Sequence, residues 1–385
     1  MRTKKNFQPE LAIQKLVAAP PAPEAVDAFL ADHVFPLVEG SNVTFVFRGR
    51  ADGVFLHQWI YGVPSRQPYL RVPETDLWYL VQEVPAKSRI EYKVEVQEEE
   101  KHSLIRDPHN PEIARDPFGA NSVVRGHGYE VPDWVDVDPE ARQGTLKDLF
   151  LESEAFGGQR RVTVYLPARF RTTRRYPLLV AHDGGDYLRF SSFKNVLDNL
   201  IHRLEIPPMI VALTHPEHRL NEYGDDPRHA RYLTEELVPL LEKNFPLAGT
   251  PESRGLLGAS FGGVAALSTA WRYPGFYGRL LLQSGSFAFT DIGEHEKGPA
   301  FDSVVEFVNA FRASSSAVAE RTYLTCGVYE SLIYENRSLL PILQNTGMDV
   351  RYVETRDGHN WENWRDTFRE GLSWLFPGPL WMVYE

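Results

Sequence analysis

The sequence predicts an α/β protein: a mostly parallel sheet with helices on both faces, preceded by a small β-sandwich. Three observations carry this. From Thr145 onward, short apolar strand-like runs alternate with segments of helical spacing, the pattern of a sheet covered on both faces. Between 42 and 130 the apolar residues instead alternate with period two and are separated by turn signals, the pattern of a sandwich. At 258–263, Gly-Ala-Ser-Phe-Gly-Gly joins an apolar run to a helical one, with Ser260 at the tip of the turn. The chain has 385 residues, more than one small core accommodates.

Taken in order, residues 1–40 read as a peripheral helical segment, with helical spacing at 24–30 and 33–37 after a proline-rich stretch. No apolar leader-like run follows the basic start, so no signal peptide, no membrane span and a cytoplasmic location are expected. The 41–130 sandwich takes its strands from 42–48, 54–59, 77–84 and 90–96. Residues 106–111 and 116–124 are expected to be irregular loops closing it. Residues 131–144, acidic and proline-marked, read as a linker, and 145–385 as the α/β domain. There the runs at 146–153 and 159–167 predict a hairpin. Strands are predicted at 176–182, 209–213, 279–284, 322–327 and 350–354, helices at 192–203 and 229–245, and a last helix near Trp361.

Composition excludes some classes of partner. The net charge of −11 disfavours nucleic acid, and the short basic run at 171–175 reads as a solvated loop. A single cysteine, Cys326, allows no disulfide within the chain and no cysteine-based metal site, and its strand-like context marks it as a core residue. No cofactor and no metal are expected. The expected partner is a small-molecule or glycan-linked ester. No nucleic-acid or membrane partner is expected, and an exposed sandwich edge would allow a homodimer.

The chemistry is read outward from Ser260. A strand, a sharp turn and a helix form a nucleophile elbow, in which the serine takes a strained conformation and its Oγ is exposed. Serine needs a base, and the base needs an orienting group. In an α/β-hydrolase fold these follow in the order serine, acid, histidine. Downstream histidines are His295, in a polar stretch, and His359, directly between the last strand and the last helix. His359 is the preferred base. Candidate acids are Glu330, just after the strand at 322–327, then Glu335 and Asp357, in that order of preference. Two oxyanion donors are expected: the N–H of Phe261, and that of Gly185 in the Asp-Gly-Gly-Asp turn after the 176–182 strand.

At these residues the chain resembles the esterase family that contains enterochelin esterases, feruloyl and acetyl-xylan esterases, S-formylglutathione hydrolase and mycolyltransferases. The resemblance runs over about 145 to 377. It is carried by 258–263, by Gln283-Ser284-Gly285-Ser286, by Gly327-Val328-Tyr329-Glu330 and by Gly358-His359-Asn360-Trp361 with Trp364-Arg365. It implies an α/β-hydrolase fold, with Ser260, Glu330 and His359 as nucleophile, acid and base. It also points to Arg219, within Arg219-Leu220-Asn221-Glu222-Tyr223, as a ligand of an anionic or catecholate group, or else an ion-pair partner of Glu222. Asp186, Tyr187 and Trp361 are further candidates for contact with substrate.

The 41–130 region resembles the early-set immunoglobulin-like domains of starch-branching enzymes and enterochelin esterases, on Val43-Thr44-Phe45, Leu77-Trp78-Tyr79, Ile90-Glu91-Tyr92-Lys93 and the Asp107-Pro108 segment. There Trp59, Tyr61 and Trp78 are either core residues or platforms for a sugar ring. The leading expectation is a serine carboxylic-ester hydrolase acting through an acyl-enzyme, of enterochelin-esterase type. The alternatives are a feruloyl or acetyl-xylan type esterase, acyl transfer by the same site, and a carbohydrate-binding protein with an inactive hydrolase domain.

Overall fold

The alternating residues of Asn42–Arg48 form a strand that pairs antiparallel with Leu77–Glu83, placing Phe45 opposite Leu80. This pairing begins the first of two units in a computed structural model that describes residues 10–290 and 297–379. The units are Met1–Glu130 with Arg356–Gly358, and Val131–Thr355 with His359–Glu385.

In the first unit, a four-stranded sheet faces a second sheet built around Gly53–Gln58, Arg89–Glu98 and Gly119–Arg125. Phe45, Trp78, Tyr92 and Val94 fill the space between them. Phe45 meets Tyr92 edge to face at 5.0 Å, a favoured aromatic geometry. Trp78 is therefore core, with Nε1 donating to the Gly49 carbonyl, whereas Trp59 and Tyr61 are exposed.

Two expectations are corrected here. The stretch at 116–124 is not a loop: Ile113–Asp116 and Gly119–Arg125 form an antiparallel hairpin. Pro117 lies in the turn between the strands, where its fixed φ helps the chain reverse and no ladder hydrogen bond is lost. The run at 33–37 is not helical. The helix Pro23–Asp32 ends before it, because Pro36 cannot continue a helix, and Leu37–Glu39 becomes a strand.

The second unit is an eight-stranded sheet. Its strands are β1 (Thr145–Ser153), β2 (Gly158–Leu166), β3 (Leu178–Ala181), β4 (Ile210–Thr214), β5 (Arg254–Ala259), β6 (Arg279–Gln283), β7 (Arg321–Gly327) and β8 (Asp349–Thr355). Their order is β1-β2-β4-β3-β5-β6-β7-β8. The β1–β2 hairpin joins β4 antiparallel, and every pairing from β4 to β8 is parallel. This is the α/β-hydrolase arrangement.

Successive residues of a strand face opposite sides. Leu256 and Leu280 accordingly pack with Val264, Leu267 and Phe307 on one face. Leu257 and Leu281 pack with Phe193, Leu197 and Phe368 on the other. Each such burial is worth about 1.5–3 kcal/mol. The segment 131–144 carries no helix or strand and is bonded onto this unit: Asn199 Nδ2 donates to the carbonyls of Trp134 and Asp136. The stretch expected as one helix at 229–245 is divided into Pro227–Arg231, a wider π turn over Tyr232–Leu237, and Val238–Asn244. Pro239 lacks the N–H that a continuous α-helix would use there. Among the described residues, no helix is long and apolar enough to cross a membrane.

Candidate active site

Because β3 and β5 to β8 run parallel, the residues that follow them gather at one edge of the sheet. Ser260 follows β5 and begins the turn into the helix Phe261–Arg272, with φ 57° and ψ −123°. A non-glycine residue here is strained, and the surroundings must hold it. Its N–H donates to the Gln283 carbonyl (2.9 Å), and its carbonyl accepts from the N–H of Gly263 (3.0 Å) and of Ser286 (3.1 Å). The glycines serve the crossing of strand and helix. A Cβ on Gly258 would lie 2.0 Å from the Gly262 carbonyl oxygen, and one on Gly262 would lie 3.2 Å from His182 Cβ. Ser260 Oγ lies 3.1 Å from Ser286 Oγ.

Glu330 lies three residues beyond β7 and is 3% exposed. One carboxylate oxygen lies 2.5 Å from His359 Nδ1. The other accepts from Ser284 Oγ and from the Gly327 N–H, both at 2.6 Å. Burial by itself opposes ionisation of Glu330. The adjacent His359 and these hydrogen bonds overcome it and hold the carboxyl below its ordinary range. His359 lies between β8 and the helix Trp361–Asp366. That helix starts at Asn360, whose side chain caps the Asn363 N–H. The imidazole stands perpendicular to the Trp364 ring, with centroids 5.0 Å apart, and Trp364 Nε1 donates to Ser284 Oγ (2.9 Å). Trp364, Ser284, Glu330 and His359 thus form one connected set.

The other acid candidates are engaged elsewhere. Glu335 pairs with Lys297, and Asp357 lies 3.3 Å from Arg89. His295 lies outside the described residues.

Phe261, directly after Ser260, is the first residue of its helix, so its N–H has no acceptor within that helix. Gly185 lies in the first turn of the helix Gly184–Phe190, after β3. A Cβ on Gly184 would lie 2.3 Å from Leu213 Cβ, so this turn is pressed against β4. Gly185 and Asp186 line a cavity of about 540 Å³ together with Asp148, Arg161, Arg189 and His215. Ser260, Glu330 and His359 are not in its lining. Burial, and then the neighbouring Asp183, push the Asp186 carboxyl above its ordinary range.

The remaining expected substrate contacts are engaged by other side chains. Tyr187 is fully buried, and its hydroxyl donates to Gln283 Oε1 (2.6 Å). Trp361 is 9% exposed and packs edge-on against Tyr187 and Trp364. Arg219 pairs with Asp183 at 2.8 Å, whereas Glu222 pairs with Arg160 at 3.0 Å.

Sequence reading missed the roles of Ser284, Ser286 and Trp364. The motif at 283–286 was visible, and its place beside β5 is what turns it toward Ser260. Beneath the elbow, His182 Nδ1 donates to the Leu257 carbonyl (2.8 Å), which leaves Nε2 to accept from His229 Nε2 (3.1 Å). His229 Nδ1 is buried without a partner, and burial pushes both histidines below their ordinary range.

The iron(III) enterobactin esterase of Escherichia coli K12 is 26% identical over 277 residues, 68% of this chain and 67% of that protein. The acetyl esterase of Caldicellulosiruptor saccharolyticus is 25% identical over 190 residues, 43% of this chain and 71% of that protein. Among solved structures, the enterobactin esterase of Shigella flexneri, crystallised in the presence of enterobactin, has a TM-score of 0.70. It is 23% identical and covers 87% of this chain and 92% of its own, a likeness of fold. The Esterase family model matches residues 153–375, more than half of the chain, so this protein belongs to the Esterase family and is a carboxylic-ester hydrolase of the α/β-hydrolase fold.

Proposed function

We propose that the enzyme works through an acyl-enzyme with Ser260 as nucleophile, His359 as base and Glu330 as the acid that orients it. The observation that carries this is the 2.5 Å pairing of His359 Nδ1 with a buried Glu330, at the sheet edge that also bears the strained Ser260. Ser260 Oγ attacks the ester carbonyl, and its proton passes to His359 Nε2. The N–H groups of Phe261 and Gly185 donate to the oxyanion. His359 then protonates the leaving alcohol, and a water activated by the same imidazole releases the acid. Glu330 fixes the tautomer and stabilises the imidazolium.

For the substrate we propose a siderophore ester of the enterobactin kind, catechol amides of serine joined through ester bonds. The match to iron(III) enterobactin esterases across two thirds of both chains supports this. Arg161, Arg189 and His215 in the cavity beside Gly185 offer groups for an electron-rich catecholate. A second reading, an acetyl or feruloyl ester of a carbohydrate, is favoured by the match to the acetyl esterase. A panel of enterobactin, a feruloylated oligosaccharide and an acetylated xylo-oligosaccharide, read by product mass spectrometry, tests the choice. Turnover of enterobactin at the highest kcat/KM is expected. Preference for either sugar ester would replace the first reading with the second.

A further inference from the structure

Arg219 opens a short helix, Arg219–Tyr223, and its side chain, 35% exposed, lays its guanidinium on Asp183. Nε lies 2.9 and 3.0 Å from the two carboxylate oxygens, and Nη2 lies 2.8 Å from Oδ2. The same Nη2 is 3.4 Å from the carbonyl oxygen of Ala259. This one side chain therefore touches two turns. Asp183 directly precedes Gly184 and Gly185, and Ala259 directly precedes Ser260 and Phe261. Each turn carries one of the two donors assigned above to the oxyanion.

Asp183 is an unusual residue to place there. Its φ is 51°, in the left-handed region, and its N–H donates to Tyr223 Oη at 3.1 Å. Its side chain is 3% exposed. A Cβ on Gly262 would come within 3.5 Å of Asp183 Oδ2, so the carboxylate lies against the elbow itself. A bare buried carboxylate at that place would oppose negative charge developing on the substrate oxygen, because like charges in a low-dielectric site repel strongly. Among the described residues, Arg219 is the one cation paired with it.

We propose that Arg219 is a positioning residue of the esterase. It ties the two donor-bearing turns together and cancels the charge of Asp183, so that the donors meet the oxyanion in register and without a competing anion. This rests on the assignment of Ser260 and the two donors. The sequence offered Arg219 as a substrate ligand or an ion-pair partner of Glu222; here it is a brace paired with Asp183.

The test uses the full chain with Arg219→Met, Asp183→Asn, the double variant and Arg219→Lys. It measures kcat and KM on p-nitrophenyl acetate, counts competent sites with a fluorophosphonate run to completion, and measures the affinity of an alkyl boronic acid that mimics the tetrahedral adduct. For R219M, kcat per titrated site is expected to fall on the order of 100-fold, the scale of losing an oxyanion donor, with KM within about twofold. Boronic acid affinity should fall in parallel. The double variant should recover about tenfold over R219M, because no bare carboxylate remains. A merely structural residue would lower the count of competent sites and leave kcat per site unchanged.

Should R219M fail to fold, R219K, which keeps the charge but not the fork, is expected to lose about tenfold in kcat at constant KM. The inference is overturned if kcat per site stays within about threefold of wild type in R219M, if the double variant is no better than R219M, or if R219K matches wild type. Turnover retained in Ser260→Ala would instead overturn the assignment of the nucleophile.

Discussion

His359 Nδ1 lies 2.5 Å from Glu330 Oε2, and Glu330 Oε1 is held by Ser284 and by the Gly327 N–H. The acid is thus held twice at one oxygen while the other meets the imidazole. Glu330→Gln keeps the shape but offers His359 the wrong partner. We expect kcat to fall by about 10² to 10⁴, with KM little changed, as for loss of the orienting carboxylate in serine hydrolases. Glu335→Gln is expected to stay within about threefold of wild type, since Glu335 pairs with Lys297. Steady-state kinetics on a nitrophenyl ester decides; the reverse ranking would transfer the role to Glu335.

Ser284→Ala removes the donor to Glu330 and the acceptor of Trp364 at once. A hydrogen bond to a buried charge is worth about 1.5–3 kcal/mol, so urea unfolding should show a loss of about 2 kcal/mol. The carboxylate, held by one fewer bond, should orient His359 less well, and kcat should fall by about tenfold. Unchanged stability and rate would mean that the hydroxyl does not hold the acid.

Glycine at the elbow is required by space. At Gly258 a Cβ would lie 2.0 Å from the backbone oxygen of Gly262, whereas at Gly158, in the β1–β2 hairpin, it would meet nothing within 4 Å. Gly258→Ala is expected to lose about 3 kcal/mol or more, or to fail to fold, and Gly158→Ala to change stability by less than about 1 kcal/mol. Thermal unfolding of the two variants side by side checks the contrast, and equal effects would contradict it.

The buried pair His182 and His229 gives a pH signature. Both have pKa values lowered from 6.5, chiefly by burial. The unfolded chain therefore binds protons that the folded chain does not as pH falls below 6.5. Stability is then greatest above that pH and declines below it, by up to about 1.4 kcal/mol per pH unit for each histidine. His229→Phe should flatten this decline by about one proton's worth. A variant slope equal to that of wild type between pH 6.5 and 5 would contradict it.

How much of this was legible in the sequence depended on how local each signal was. The elbow announces itself within six residues, and the alternation of strands and helices fixes which loops reach the Ser260 edge, so Glu330 and His359 could be named. The stretch 116–124, expected as loop, is the turn and second strand of a hairpin, because its pairing with Ile113–Asp116 spans a turn of only two residues. The ion pair of Arg219 was not legible, for a different reason. Its partner Asp183 belongs to another loop, and only the parallel order of β4, β3 and β5 brings the two together. Tyr187, two residues after Gly185, points inward because helical geometry turns it toward the buried Gln283.

The central claim is that Ser260 carries the acyl group. Wild type and Ser260→Ala are compared on p-nitrophenyl acetate, and the wild-type protein is quenched in turnover for peptide mass spectrometry. The account predicts a drop in kcat of more than about 10⁴-fold in the variant, and an acyl mass on the peptide containing Ser260. Turnover retained in Ser260→Ala, or an acyl group on any other residue, would contradict it.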